Sequence, residues 1–542
     1  SGLDLNESGI VVPTENINAV ARATTDGSSY TYYDNLSSAI NEANTSATIT
    51  LLKNVTESIT VAEGKNITLD LNGFTLTNVA GSHTITNYGT LTITGSGTVD
   101  NVSHGRGALV NYGVAMLNGG TFTRSMEAGT AYNNNGGNSW YTLKNYGHMT
   151  INANTTVTTN LGTSETPTGR YSSLIANGFQ NKSNYTSERD KVTVNDNDIA
   201  TLIINGGTFS GGLNTVKNDE LTDGKSSKLT ITGGTFNNTA QHVVQNYGEV
   251  EISGGEFNAP NASAAIWNQA DPGDEDYSSV PGKATITGGT FSGGSYGIVA
   301  MNGAEVTVSG IAKISGNDYA VILNGAATKV SLNGGSYSGE LFEQYADTLF
   351  VSGGNFSEPF DSAYLADNAD LYVNAANNQY IASTSAVTGA EKVVATIGDK
   401  GYGSLQAAIN AAQAGDTVKL YDDVTESVTI AKGDTITLDL NEKTLTSASN
   451  DTSSYAILVS GGTSEEENIE VEVKNGKVSG GDAAIVVKGH ADVVISNVEA
   501  TTNGRYGLEL YGEYDQSVEA TKSKFTGSNA GVVVFGAEKE NM

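Results

Sequence analysis

A block reading ITGGTF recurs along the chain with small changes, and its spacing restricts the fold more than any other feature. The Gly pairs fall at Gly119-Gly120, Gly206-Gly207, Gly233-Gly234, Gly254-Gly255, Gly288-Gly289, Gly334-Gly335 and Gly353-Gly354. An aromatic follows each: Phe122, Phe209, Phe236, Phe257, Phe291, Tyr337 and Phe356. A second marker is an Asn, often in NYG, at Asn87, Asn111, Asn145 and Asn246, with weaker copies at Asn181, Asn218, Asn268, Asn302 and Asn324. From Asn87, Asn111, Asn246 and Asn302 to the next Gly corner is 8 residues, and from Gly254, Gly288 and Gly310 to the next Asn is 14. The unit is therefore 22 residues, too short for two packed helices and right for one turn of a β-solenoid.

Within a unit the apolar residues are two apart, as in Leu91 and Ile93, Val250 and Ile252, Val306 and Val308. Period two puts each pair on one inward face. The Gly pair supplies a corner where positive φ is needed. The Phe after it points back inside, so successive Phe residues are expected to stack. Asn tolerates the left-handed region and its amide can bond to the next Asn, which makes a structural ladder the expected role of these residues.

Departures from the period mark insertions. Asn181 to Gly206 is 25, Asn218 to Gly233 is 15 and Asn268 to Gly288 is 20, against the usual 8. On the other side, Gly119 to Asn145 is 26, against 14. These insertions are expected to bracket one outer face between Asn145 and Gly289. Projected onto that face are His148, Thr150 and Asn152; Thr201, Ile203 and Asn205; Lys228, Thr230 and Thr232; Glu249, Glu251 and Ser253; Lys283, Thr285 and Thr287. Lys228 and Lys283 then neighbour Glu249, an ion pattern on a wet face.

The segment Tyr402–Thr446 repeats Tyr33–Thr77; both read as a short helix followed by strands. In the later copy Leu405, Ile409 and Ala412 share a helical face and Gly415 is the expected stop. A solenoid must cover its first coil, so a second cap implies a second solenoid. The expected organisation is an extension over residues 1–17, a first β-helix over 18–390 and a second, truncated one over 391–542. The cap pattern with its GGTF coils resembles the right-handed parallel β-helix modules of adhesin-like surface proteins of gut Gram-positive bacteria. The stretch Phe360–Val373 resembles the ending of such a module. The resemblance covers roughly residues 18–542. It implies an all-β, pectin-lyase-like fold, an extracellular or wall-attached location and an adhesive role. It also brings in lyases and hydrolases of that fold.

Composition narrows the chemistry. A net charge of −31 makes nucleic acid and anionic lipid poor partners. The absence of Cys removes disulfides, thiolate metal sites and thiol catalysis. No apolar run is long enough to span a membrane, and nothing calls for an oligomer, so a monomer is expected. The break at Glu540-Asn541-Met542, in mid-pattern, reads as a fragment of something longer. No cofactor is expected. Calcium would have carboxylates at Asp196 and Asp198, or at Asp271, Asp274 and Asp276, but these read as solvated loop charge. Hydrolysis needs paired carboxylates, and Glu249 and Glu251 share one coil. Sugar binding has more to use: Trp140, Tyr141, Tyr146 and Tyr171 lie in or beside insertions among Asn, Thr and Ser, and such rings stack on sugar C–H faces. The candidate ligand residues are Trp140, Tyr141, Tyr146, His148, Asn152, Tyr171, Glu249 and Glu251. The expected function is glycan or surface-ligand binding without catalysis. The alternatives are a polysaccharide lyase or glycoside hydrolase, and a non-binding structural spacer.

Overall fold

The computed structural model describes residues 2–43, 45–125, 140–159, 172–179, 182–194, 200–219, 227–238, 240–259, 264–270, 281–345, 348–374, 376–431, 435–512, 514 and 516–536. The chain divides into two compact units, Ser1–Phe350 and Val351–Met542. The expected boundary near 390 falls inside the second.

The first unit begins with an antiparallel hairpin, Leu3–Leu5 with Val11–Pro13. Ala21–Thr24 then pairs antiparallel with Thr31–Tyr33 and with Ser46–Leu51. The helix Leu36–Glu42 buries Leu36, Ala39 and Ile40. Its first turn is held twice. The Asn35 side chain accepts from Ser38 N at 2.7 Å, and the Glu57 carboxylate accepts from Leu36 N and Ser37 N at 2.8 and 2.9 Å. These bonds satisfy amides that a helix leaves unpaired.

Beyond this cap three rows of short parallel strands recur, each strand pairing with the one three places further on. The first row includes Asn66–Asp70, Thr90–Thr94, Val114–Leu117, His148–Ile151, Thr201–Ile204, Lys228–Ile231, Glu249–Ile252 and Lys283–Ile286. The second carries the aromatics, as in Thr208–Ser210, Thr235–Asn237, Glu256–Asn258 and Thr290–Ser292. The third carries the marker Asn, as in Ile85–Asn87, Leu109–Asn111, Leu143–Asn145, Ile175–Asn177 and Asn214–Asn218. Leu91, Ile93, Val250, Ile252, Val306 and Val308 are buried. The expected register of the first row holds: His148 lies level with Thr201, Thr201 with Lys228, Lys228 with Glu249, and Glu249 with Lys283.

Two ladders run through the interior. Phe209, Phe236, Phe257 and Phe291 are wholly buried and stack with centroids 4.6, 4.8 and 4.5 Å apart, close to the spacing of the strands that carry them. Their approach needs the preceding corner. Gly234 has φ +113, and a Cβ at Gly233 would stand 2.9 Å from the Asn205 carbonyl oxygen. The Asn side chains form the second ladder. Each Nδ2 donates to the next Oδ1, from Asn87 through Asn111, Asn145, Asn177, Asn218 and Asn246 to Asn268, at 2.6–2.8 Å.

This ladder corrects three sequence assignments. Asn177 holds the rung expected of Asn181, which lies outside the described residues. Asn302 and Asn324 are not rungs, because Asn268 is level with Ala300 and Ala300 with Leu323. Two residues separate Asn246 from Glu249, but four separate Ala300 from Glu305 at the equivalent corner. The two extra residues displace the look-alike Asn302 into a left-handed turn, φ +57.

In the second unit the helix Leu405–Ala411 repeats the first cap. Ser404 accepts from Ala407 N at 3.3 Å, and Glu426 accepts from Leu405 N and Gln406 N at 3.0 and 3.1 Å. The helix ends at Ala412, whose ψ of 144 leaves the helical region. Gly415, the expected stop, belongs to the turn beyond. Parallel strands follow in further rows, such as Val428–Ala431, Tyr455–Ser460, Ala483–Lys488, Tyr506–Gly512 and Ala530–Gly536. They enclose an aliphatic core including Leu438, Ile457, Val473, Ile485 and Ile495.

Candidate functional site

Strand residues alternate, so in the third row of the first unit the residue before each Asn points outward. Thr60, Thr86, Val110, Lys144, Ala176 and Lys217 occupy this position. At the corner just after each Asn stand Tyr88, Tyr112 and Tyr146, the middle residues of NYG. Their rings stack 5.0 and 5.1 Å apart, with Phe179 5.0 Å further on.

The insertion after Asn177 folds back over this aromatic row. Its helix Lys182–Glu188 and the turn Arg189–Lys191 lead to Thr193, whose amide donates to the Tyr112 carbonyl at 3.0 Å. The Thr193 hydroxyl donates to the Tyr88 carbonyl at 2.5 Å. The Tyr112 hydroxyl donates to Glu188, Lys191 donates to Glu188 at 3.0 Å, and Asn184 donates to the Tyr146 hydroxyl at 3.1 Å.

Between this arm and the loops before the third row opens a cleft of about 630 Å³. Thr60, Thr86 and Val110 line it, with Tyr88, Tyr112, Tyr146, Asn184, Glu188 and Lys191 on one wall and Ser82, His83, Arg106 and Trp140 on the other. Trp140 packs 4.6 Å from His83 and 5.5 Å from Tyr141. The ring occupies the space where a Cβ on Gly107 would sit, and the Trp140 carbonyl accepts from the buried Arg124.

The titratable groups of the cleft are committed. His83 Nδ1 accepts from Gly107 N at 2.9 Å, so the neutral ring carries its proton on Nε2. Burial, then the charges of Arg106 and Arg124, push its pKa down to about 4. Burial, then the bond to Glu188, raises the Tyr112 hydroxyl above its ordinary value. Burial also raises Tyr146. Lys191 is paired with Glu188, so no described lining residue stands ready as a general base.

Beneath the Tyr141 end lies a buried ion cluster. Asp219 takes Lys144 at 3.2 Å and Lys217 at 2.6 Å, and the Lys144 ammonium faces the rings of Tyr141 and Tyr146 at 4.9 and 4.8 Å. Burial opposes all three charges. It wins at Lys144, whose pKa falls, while ion pairing wins at Lys217, which is raised, and at Asp219, which is lowered.

The sequence candidates separate. Trp140 and Tyr146 line the cleft. Tyr141 lies behind Trp140, with its hydroxyl pushed up to about 12 by burial. His148 lines a neighbouring depression of about 560 Å³ with Lys65, Tyr88 and Thr193. Asn152 donates to Asn118 at 2.6 Å and accepts from Asn205 at 3.0 Å, forming an outer amide line. Glu249 pairs with Lys228 at 3.8 Å on a solvated strand face, and Glu251 is exposed on the same strand. The cleft thus overlies the third row, and not the first-row face onto which the insertions were projected. Tyr171 and the calcium candidates Asp196, Asp198, Asp271, Asp274 and Asp276 lie outside the described residues. Among the described residues no three His, Asp or Glu side chains are grouped to hold a metal, and no helix is long and apolar enough to cross a membrane.

The sequence reading missed His83, Arg106, Tyr88, Tyr112, Glu188 and Lys191. Tyr88 and Tyr112 were findable, since they share the NYG motif with Tyr146. Glu188 and Lys191 come from an insertion without a repeat. No family model matches this chain, and comparison with the curated proteins also gives no match.

Proposed function

We propose that this chain is a secreted or cell-surface adhesin-like protein that binds a glycan in the Trp140 cleft without chemical turnover. In this reading the stacked parallel strands close into right-handed β-helices of about 22 residues per coil. Two such helices follow one another, each opened by a capping helix. The carrying observation is the cleft: aromatic walls, Thr and Ser hydroxyls, and no free general base. Glu188 is the one carboxylate among its described lining residues, and glycoside hydrolysis needs two. The basic Nδ1 of His83 already accepts from Gly107 and Tyr112 keeps its proton, which disfavours proton abstraction by a lyase. A glycan array followed by Trp140→Ala tests the reading. The expected result is a hit whose affinity falls about tenfold or more without the indole, the usual scale for a buried aromatic anchor. No hit, or a hit indifferent to Trp140, would favour the spacer; new reducing ends or unsaturated products would favour an enzyme.

A further inference from the structure

The two walls of the cleft differ in hydrogen-bonding character. On the arm side donors and acceptors satisfy one another through Tyr112, Glu188, Lys191, Tyr146 and Asn184. On the Trp140 side the side chains are donors. His83 Nε2 carries a proton because Nδ1 is engaged by Gly107. The Trp140 indole N–H makes no hydrogen bond to a described residue. The exposed Arg106 spends Nε and Nη1 on the carbonyls of Gly81 and Gly105, both at 2.8 Å, which fixes its guanidinium plane and leaves Nη2 without a described partner. Among the described lining residues the one acid is Glu188, already engaged on the opposite wall.

Donors beside a fixed guanidinium, with the one described carboxylate across the cleft already paired with Lys191, are complementary to an acceptor-only group bearing negative charge. They occur in a chain whose net charge is −31, so this attraction is local and opposed by the molecule as a whole. We infer that the Trp140 end of the cleft receives the anionic substituent, carboxylate or sulfate ester, of an acidic glycan. The guanidinium of Arg106 would bind the anionic oxygens and the His83 and Trp140 N–H groups would orient them. The inference rests on the glycan-binding reading and narrows it.

The test is titration of the intact chain and of Arg106→Gln with matched oligosaccharides: neutral, uronate-bearing, carboxyl-reduced, sulfated and desulfated. The expected result is preference for one acidic series over its neutralised partner. Arg106→Gln should lose about tenfold or more on that series, the scale of a hydrogen bond to a charged group, and should shrink the preference for the acidic member over its neutral partner accordingly. The uronate and sulfate arms tell which anion is read. Equal binding of acidic and neutral members, or acidic binding indifferent to Arg106, overturns the inference and leaves the glycan reading standing. Failure of every oligosaccharide to bind overturns both.

Discussion

Asp219 shows how much one side chain can hold in place. Its carboxylate pairs with two ammonium groups contributed by strands two rungs apart in the third row. Removing one member of a buried ion cluster costs far more than the cluster contributes, because the remaining charges stay desolvated. Asp219→Ala should therefore destabilise the first unit by about 3–5 kcal/mol. Lys144→Met, which keeps the Asp219–Lys217 pair, should cost less than half as much; urea denaturation of both variants checks the ranking. His242 sets a pH dependence. It is buried against Trp267 at 4.3 Å, and burial lowers its pKa to about 3. The unfolded chain takes up a proton below about 6.5, and the folded one does not until about 3. Stability contributed by the neutral ring is therefore complete above pH 6.5 and declines as pH falls, by about 2 kcal/mol at pH 5. His83, lowered to about 4, adds a similar loss, so unfolding midpoints at pH 7.5 and pH 5 should differ by the sum, and His242→Asn should remove about half of the difference.

At the scale of elements the capping helices are decisive, since each has only seven residues. Helices that short do not persist on propensity alone. Glu57 accepts two backbone amides and the Ser37 hydroxyl, and Glu426 plays the same part for the second helix. Glu57→Ala should cost about 2 kcal/mol, the scale of hydrogen bonds to a charged group. Glu426→Ala should cost a similar amount in its own unit, and Glu57→Gln less, as measured by thermal unfolding. The two short helices were legible because their motif occurs twice. So was the level of Lys228 with Glu249, because alternation and corner spacing together decide which residues face each other. Asn302 misled because it stands eight residues before Gly310, the spacing of the true rungs, in a corner two residues longer. The cleft was only half legible. Insertion lengths reveal which corners carry extra chain, but not which neighbouring face that chain overhangs, and Glu188 and Lys191 reach the Tyr row only through the fold-back of their arm.

For the molecule as a whole, charge and cleft act at different ranges. At physiological salt the field of exposed acids fades within about 8 Å, so the −31 total weakens encounters with bulk polyanions more than it weakens a contact made inside the Trp140 cleft. The buried amide column has an orientation of its own. All six links donate in one direction, from Asn87 toward Asn268, where the final amino group meets the carbonyls of Gly282 and Glu305. Seven amide dipoles therefore add head to tail, and each polarises its neighbours. The stack is electrically asymmetric from end to end, and an amide lost from its middle would sever this mutual reinforcement on both sides, whereas one lost from its end would shorten it by a single step.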